Sequence, residues 1–212
     1  MYDDIARHLT ECDTKLNAGL KNLGQKSIEL GKLPRAGSKQ RKEYDMRQVL
    51  AHWAGVDLTR INGLGLAAVT KILTEIGPDL SRFPTVKHFC SWLGLCPGTK
   101  ISGGKVLSAK TKRSVNRVRQ VLKVAAMSLS HCDSALGAFY RRLCARMDKP
   151  SANTAVAHKL ARMVYFMLTR GEEFVDQGQQ RYDQQQLERS VAALKRRATA
   201  LGFAITQVAP MA

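Results

Sequence analysis

Apolar residues recur at helical spacing through most of this chain. Ile5, Leu9, Cys12, Leu16 and Leu23 step by four, three, four and seven, a short heptad seam that predicts a helix within residues 1–30. Such a seam serves either a helix packed on its own domain or a coiled-coil arm joining two subunits. Residues 31–46 break the pattern with Pro, Gly, Ser and charge, the composition of a basic linker. Helical periodicity then resumes. Phe83-Pro84-Thr85 opens a helix running to about Leu93, with Thr85 as N-cap. Val115, Val118, Leu122, Ala125 and Leu129 stripe a helix over about 114–130. Leu136, Phe139, Tyr140, Leu143 and Met147 define another, and Val156, Leu160, Val164, Met167 and Leu168 a further one after Lys149-Pro150. After Gly171 a Gln-rich stretch leads to a tail helix striped by Leu187, Val191, Leu194, Ala198 and Leu201.

This pattern predicts a mostly α protein: a compact helical domain over 47–176, flanked by amphipathic helices in 1–30 and 177–212. Ile61-Asn62-Gly63-Leu64-Gly65-Leu66 lies between two apolar helical stretches. It resembles a helix-hairpin-helix unit, whose turn N–H groups and helix N-terminus hold a DNA phosphate without reading sequence. Gly63 and Gly65 are therefore candidate phosphate contacts, against the plainer reading of a helix–helix turn.

Charge sharpens the picture. The 212 residues carry a formal net charge of +17, which favours a polyanionic partner. The positive charge is concentrated: from Leu80 to Cys132 there is no Asp or Glu. Lys100, Lys105, Lys110, Lys112, Arg113 and Arg117 all fall in that stretch and are candidate phosphate ligands. No apolar run approaches the roughly 20 residues that span a bilayer, so no membrane partner is expected. Five cysteines without CxxC spacing fit reduced thiols in a cytoplasmic, nucleoid-associated protein rather than a disulfide framework or a metal site.

The chemistry-bearing candidate is Thr99-Lys100-Ile101-Ser102-Gly103-Gly104-Lys105, in a stretch read as the loop 94–113. A serine followed by Gly103 and Gly104 sets a hydroxyl beside backbone that can approach a phosphate closely. A serine hydroxyl is a weak nucleophile near neutral pH and needs a base or metal, plus cations for the charge developing on phosphorus. The surrounding lysines and arginines supply the cations. No carboxylate accompanies them, so a loop serine remains the alternative.

Several motifs occur in one order: Asp57-Leu58-Thr59 with Asn62-Gly63, Phe83-Pro84-Thr85-Val86-Lys87-His88-Phe89, Ser91-Trp92-Leu93-Gly94-Leu95-Cys96-Pro97, Ile101-Ser102-Gly103-Gly104-Lys105, and Ala135-Leu136-Gly137-Ala138-Phe139-Tyr140-Arg141-Arg142-Leu143. In that order they resemble the C-terminal domain of the DEDD-type insertion-sequence transposases, the recombinases guided by a bridge RNA. The opening Tyr2-Asp3-Asp4-Ile5, Ala157-His158-Lys159-Leu160-Ala161-Arg162 and Glu172-Glu173-Phe174-Val175-Asp176-Gln177-Gly178 fit the same pattern. Residues 57–176 carry the most specific part of the match. Asn62 departs from it, since related chains often have Asp there.

The resemblance implies DNA as substrate, a guide RNA, a homo-oligomer, and Ser102 as the nucleophile that links covalently to DNA. It also implies a composite site in which a separate domain supplies four metal-binding carboxylates, so a divalent ion such as Mg is expected there and no cofactor within this chain. The chain starts at the family's coiled-coil segment and lacks the carboxylate domain, so it is expected either to be a fragment of a split or decayed gene or to work with a separate carboxylate-domain partner. Taken alone, the chain is expected to be inactive. The alternative is a non-catalytic, basic helical protein that binds DNA or RNA.

Overall fold

A computed structural model describes residues 2–21, 28, 40–112, 114–171 and 178–204. The described residues are mostly helical. Eight α-helices run in order: α1 Tyr2–Lys21, α2 Gln40–Ala54, α3 Leu66–Ile76, α4 Val86–Trp92, α5 Arg117–Ser128, α6 Ala135–Cys144, α7 Lys149–Arg170 and α8 Gln179–Ala200. Short 3-10 turns occupy Leu58–Arg60 and Leu129–His131. The exception is one antiparallel hairpin, β1 Lys100–Ser102 and β2 Lys105–Ser108.

The core is built around α7, which packs against α4, α5 and α6. Its buried face includes Ala152, Val156, Ala157, Leu160, Ala161 and Val164. The alanines let neighbouring helices approach closely, while Val156 and Leu160 supply the apolar area that drives packing. α5 contributes Val118, Leu122, Ala125 and Ala126, and α3 contributes Val69, Ile72, Leu73 and Ile76. Tyr165 on α7 donates its hydroxyl to the Phe83 carbonyl at 3.0 Å, tying the central helix to the turn before α4. Phe83 and Phe89 meet edge to face beneath it.

Local sequence explains where the helices start. Thr85, Asn116, Ser134 and Asp148 have extended backbone, and each accepts a hydrogen bond from an N–H of the following first turn. Pro150 sits in the first turn of α7, where its missing N–H costs nothing. Gly171 ends α7 in the left-handed conformation, φ +67°.

Three sequence expectations change. The stretch 94–113, read as a loop, contains the hairpin. The linker read at 31–46 overlaps α2, which begins at Gln40, while 31–39 lies outside the described residues. The helix read as starting near Ser114 begins at Arg117, because Asn116 caps it. The outer helices pack at the margins, α1 against α2 and α8 against α6. On α8 Tyr182 meets the ring of Phe139 edge to face. The described part of the Gln-rich stretch, from Gln179, lies within α8.

Candidate nucleic-acid interface

Ser102 is the last residue of β1 and pairs directly with Lys105, the first residue of β2. Gly103 and Gly104 make the connection with φ of +53° and +73°. Two positive φ values in a two-residue loop are the signature of a type I′ hairpin turn, which non-glycine residues other than Asn and Asp adopt at a cost. The glycines thus have a backbone reason to be there, and an added Cβ on either would meet nothing within 4 Å. The tip is open on all sides.

The register divides the hairpin into two faces. Ser102 pairs with Lys105 and Lys100 with Ser108, so a hydroxyl stands opposite an ammonium at both pairs. Ile101 pairs with Val106 on the opposite face, and a bulge between Lys100 and Ile101 displaces the ladder near Leu107. Ile101, Val106 and Leu107 are 64%, 61% and 69% exposed. Directly paired side chains stand about 5 Å apart at Cβ, which sets the Lys105 ammonium within reach of the Ser102 hydroxyl.

The base of the hairpin is fixed to the helical body. Pro97 and Thr111 form an isolated bridge, and Gly98 N–H donates to the Lys110 carbonyl at 3.0 Å. Arg119, in the first turn of α5, donates to the Lys112 carbonyl at 3.0 Å and to Thr111 Oγ1 at 3.3 Å. Its guanidinium therefore holds the hairpin in place. Gly94, φ +69°, lies where a Cβ would come 2.7 Å from the Ser114 side chain, so the chain crosses itself closely here.

Lys100, Lys105, Lys110, Lys112 and Arg117 are exposed, and all belong to the hairpin, its base or the start of α5. Arg113 lies outside the described residues. Gly63 and Gly65 are placed elsewhere, beside the 3-10 turn and at the start of α3. Gly63 has φ +90°, and a Cβ there would lie 2.8 Å from the Ala125 carbonyl oxygen and 3.1 Å from Leu129 Cγ. Close packing against α5 accounts for this glycine. Gly65 caps α3 without a side chain and has open space around it. Preceding both, Asp57 forms a buried ion pair with Arg47 of α2 and accepts from Thr59 N–H at 3.0 Å and Thr59 Oγ1 at 2.6 Å. That network fixes α2 against the 3-10 turn.

Sequence reasoning passed over the α7 side of this region. A cleft of about 1050 Å³ opens between the hairpin base, α5 and the first turns of α7. His158 of α7 lines it. Burial pushes its imidazole below the usual histidine value, and Arg162 adds to the effect, so the neutral ring is favoured. Lys159 beside it is lowered for the same two reasons, in the same order. The signal for His158 was its position one turn beyond Thr154 on a face that the apolar stripe leaves free.

Residues 57–141 run from this ion pair through the hairpin to α6. They match the model of the Transposase IS116/IS110/IS902 family. The matched segment contains Ser102, the hairpin base and α5. The chain is similar to "Insertion element IS110 uncharacterized 43.6 kDa protein" of Streptomyces coelicolor, with 30% identity over 130 residues, 59% of this chain and 31% of that protein. It is also similar to "Probable family 20 transposase" of Pseudomonas aeruginosa, 28% identical over 133 residues, 58% of this chain and 39% of that one. The chain spans about a third of the length of the curated relatives it matches. Among the described residues no helix is long and apolar enough to cross a membrane.

Proposed function

We propose that this chain is the DNA-binding, serine-bearing part of a transposase, and that Ser102 is its nucleophile for strand exchange. One observation carries the reading: Ser102 stands at the exposed tip of a hairpin whose same face holds Lys100 and Lys105. In the reaction, Ser102 Oγ forms a bond to a DNA phosphorus and the bond from that phosphorus to one strand end breaks. The serine gives up its proton and the departing oxygen takes one. Lys100 and Lys105 lower the energy of the charge that builds on the phosphate oxygens.

The hairpin and its base, residues 97–112, contain no Asp, Glu or His, so the proton acceptor comes from outside this segment. Among the described residues no three His, Cys, Asp or Glu side chains converge as a metal site would require. The described residues therefore do not fit the divalent ion of the transposase reaction, and no step is assigned to it here. A composite site with a carboxylate-bearing partner, a guide RNA and an oligomer completes the reading. The more than half-exposed Ile5, Leu9 and Leu16 along α1 support association.

A second reading, a non-catalytic nucleic-acid binder, is favoured by the Gly103-Gly104 turn, which has a sufficient structural reason without catalysis. The two readings separate on one variant. Ser102 is exposed, so Ser102→Ala leaves folding and DNA affinity nearly unchanged. With labelled DNA, a divalent ion and the carboxylate domain of a full-length relative, wild type gives a covalent protein–DNA band on a denaturing gel and Ser102→Ala gives none. A band of wild-type intensity from Ser102→Ala makes it a structural serine.

A further inference from the structure

The cleft between the hairpin base, α5 and α7 carries chemistry that the Ser102 site does not use. No Asp or Glu lines it, whereas Lys110, Lys112 and Lys123 do, together with His158 and Gln120. The nearest acid in the chain before α7, Asp148, spends its carboxylate on the helix N-terminus, accepting from Ser151 N–H at 3.0 Å. No Phe, Tyr or Trp lines the cleft either. It therefore offers mainly cations and N–H donors, the inventory for a sugar–phosphate backbone more than for bases.

We propose that this cleft binds the phosphodiester backbone of a nucleic-acid strand. Lys112 from the hairpin base and Lys123 from α5 neutralise phosphates, and Gln120 and His158 donate hydrogen bonds to their oxygens. The neutral state of His158 leaves it one N–H to give without adding charge. This assigns a binding role to α7, and it rests on the nucleic-acid reading above while naming a place that reading leaves open. The cleft lies five residues down the hairpin from Ser102, since the Pro97–Thr111 bridge marks its edge. At about 3.3 Å per residue the two are up to about 17 Å apart, so a strand held in the cleft has its reacting phosphate several nucleotides away. With no base contact, binding there is indifferent to sequence.

The test is fluorescence anisotropy of the full chain against a fluorescein-labelled single-stranded DNA of mixed sequence, its duplex, and RNA of the same sequence, across a salt titration. Lys112→Gln with Lys123→Gln removes two phosphate contacts. The salt slope should fall by about 1.8 on duplex DNA or about 1.4 on a single strand, a loss near 25-fold on the single strand at about 0.1 M salt. Lys15→Gln with Lys71→Gln makes the same charge change on α1 and α3 and should leave affinity within about twofold. Thr154→Phe fills the cleft without altering charge and should weaken binding to whichever probe enters. The arm with the largest loss identifies the strand type.

If the Lys112/Lys123 variant binds like the Lys15/Lys71 variant, the cleft is not the site, and the broader nucleic-acid reading survives. If Thr154→Phe folds and binds like wild type, the proposal is likewise overturned. Should Thr154→Phe fail to fold by circular dichroism, the lysine pair alone decides. If wild type binds none of the three probes, both this proposal and the function it rests on fall together.

Discussion

Gly63→Ala separates packing from phosphate contact at a glycine held by both a positive φ and a close approach to backbone. The perturbation adds one methyl group. At φ +90° an L-residue is strained, which costs about 1–2 kcal/mol. The methyl also lands 2.8 Å from the Ala125 carbonyl oxygen and 3.1 Å from Leu129 Cγ, and neither can move freely, because Ala125 and Leu129 are themselves buried. Forcing α5 away adds about 1–3 kcal/mol. A total near 3 kcal/mol, in a chain of this size, lowers Tm by about 6–12 °C. Differential scanning calorimetry reads the shift, and a salt titration of DNA binding below the transition reads the second arm. If Gly63 serves packing, Tm falls and the salt slope stays at the wild-type value. A melting temperature within a degree or so of wild type, or a slope reduced by about one contact with stability intact, refutes the packing argument.

Asp57→Ala removes the buried carboxylate that joins Arg47 and Thr59, and should cost about 3–5 kcal/mol in urea unfolding; a cost under about 1 kcal/mol would show that the network is dispensable. Tyr165→Phe strips the hydroxyl from the Phe83 carbonyl and should cost about 1–3 kcal/mol by the same assay, with DNA affinity unchanged. Burial raises the Cys90 thiol from 9.0 to about 12, with Cys96 contributing second. A raised thiol holds its proton more tightly in the folded state, so its contribution to stability is complete below pH 9.0 and is lost as pH climbs toward 12. Cys90→Ala should flatten that alkaline decline, and in native protein Cys90 should react with a thiol reagent far more slowly than exposed Cys12.

How far the sequence discloses this structure depends on the kind of signal. Helices α5, α6 and α7 were legible because their apolar residues recur at helical spacing and must face a core, and Thr85 was legible because an N-cap is a local device. The hairpin was not. Its strands are three and four residues long, both its faces are exposed, and no core imposes alternation on it. Ser102-Gly103-Gly104 drew notice as a phosphate loop, whereas the same glycines are what a two-residue turn demands. The packing role of Gly63 was hidden for a related reason: its close approach to α5 joins residues far apart in sequence. Lys123 and His158 belong to separate helices, and only the packing of α5 on α7 sets them around one cleft.

The hairpin stands outside the helical core, and every residue from Lys100 to Leu107 is exposed. Changes there escape the selection that folding imposes on the rest of the segment. On the function proposed here, a copy of the gene that loses the serine hydroxyl still encodes a protein that folds and still occupies nucleic acid. Such a copy does not fall silent as it decays. It becomes an inhibitor of its active kin, competing for the same ends and joining the same assemblies. The architecture thereby makes inactivation the easiest evolutionary step and gives the inactive product a trans-dominant effect on the spread of the element.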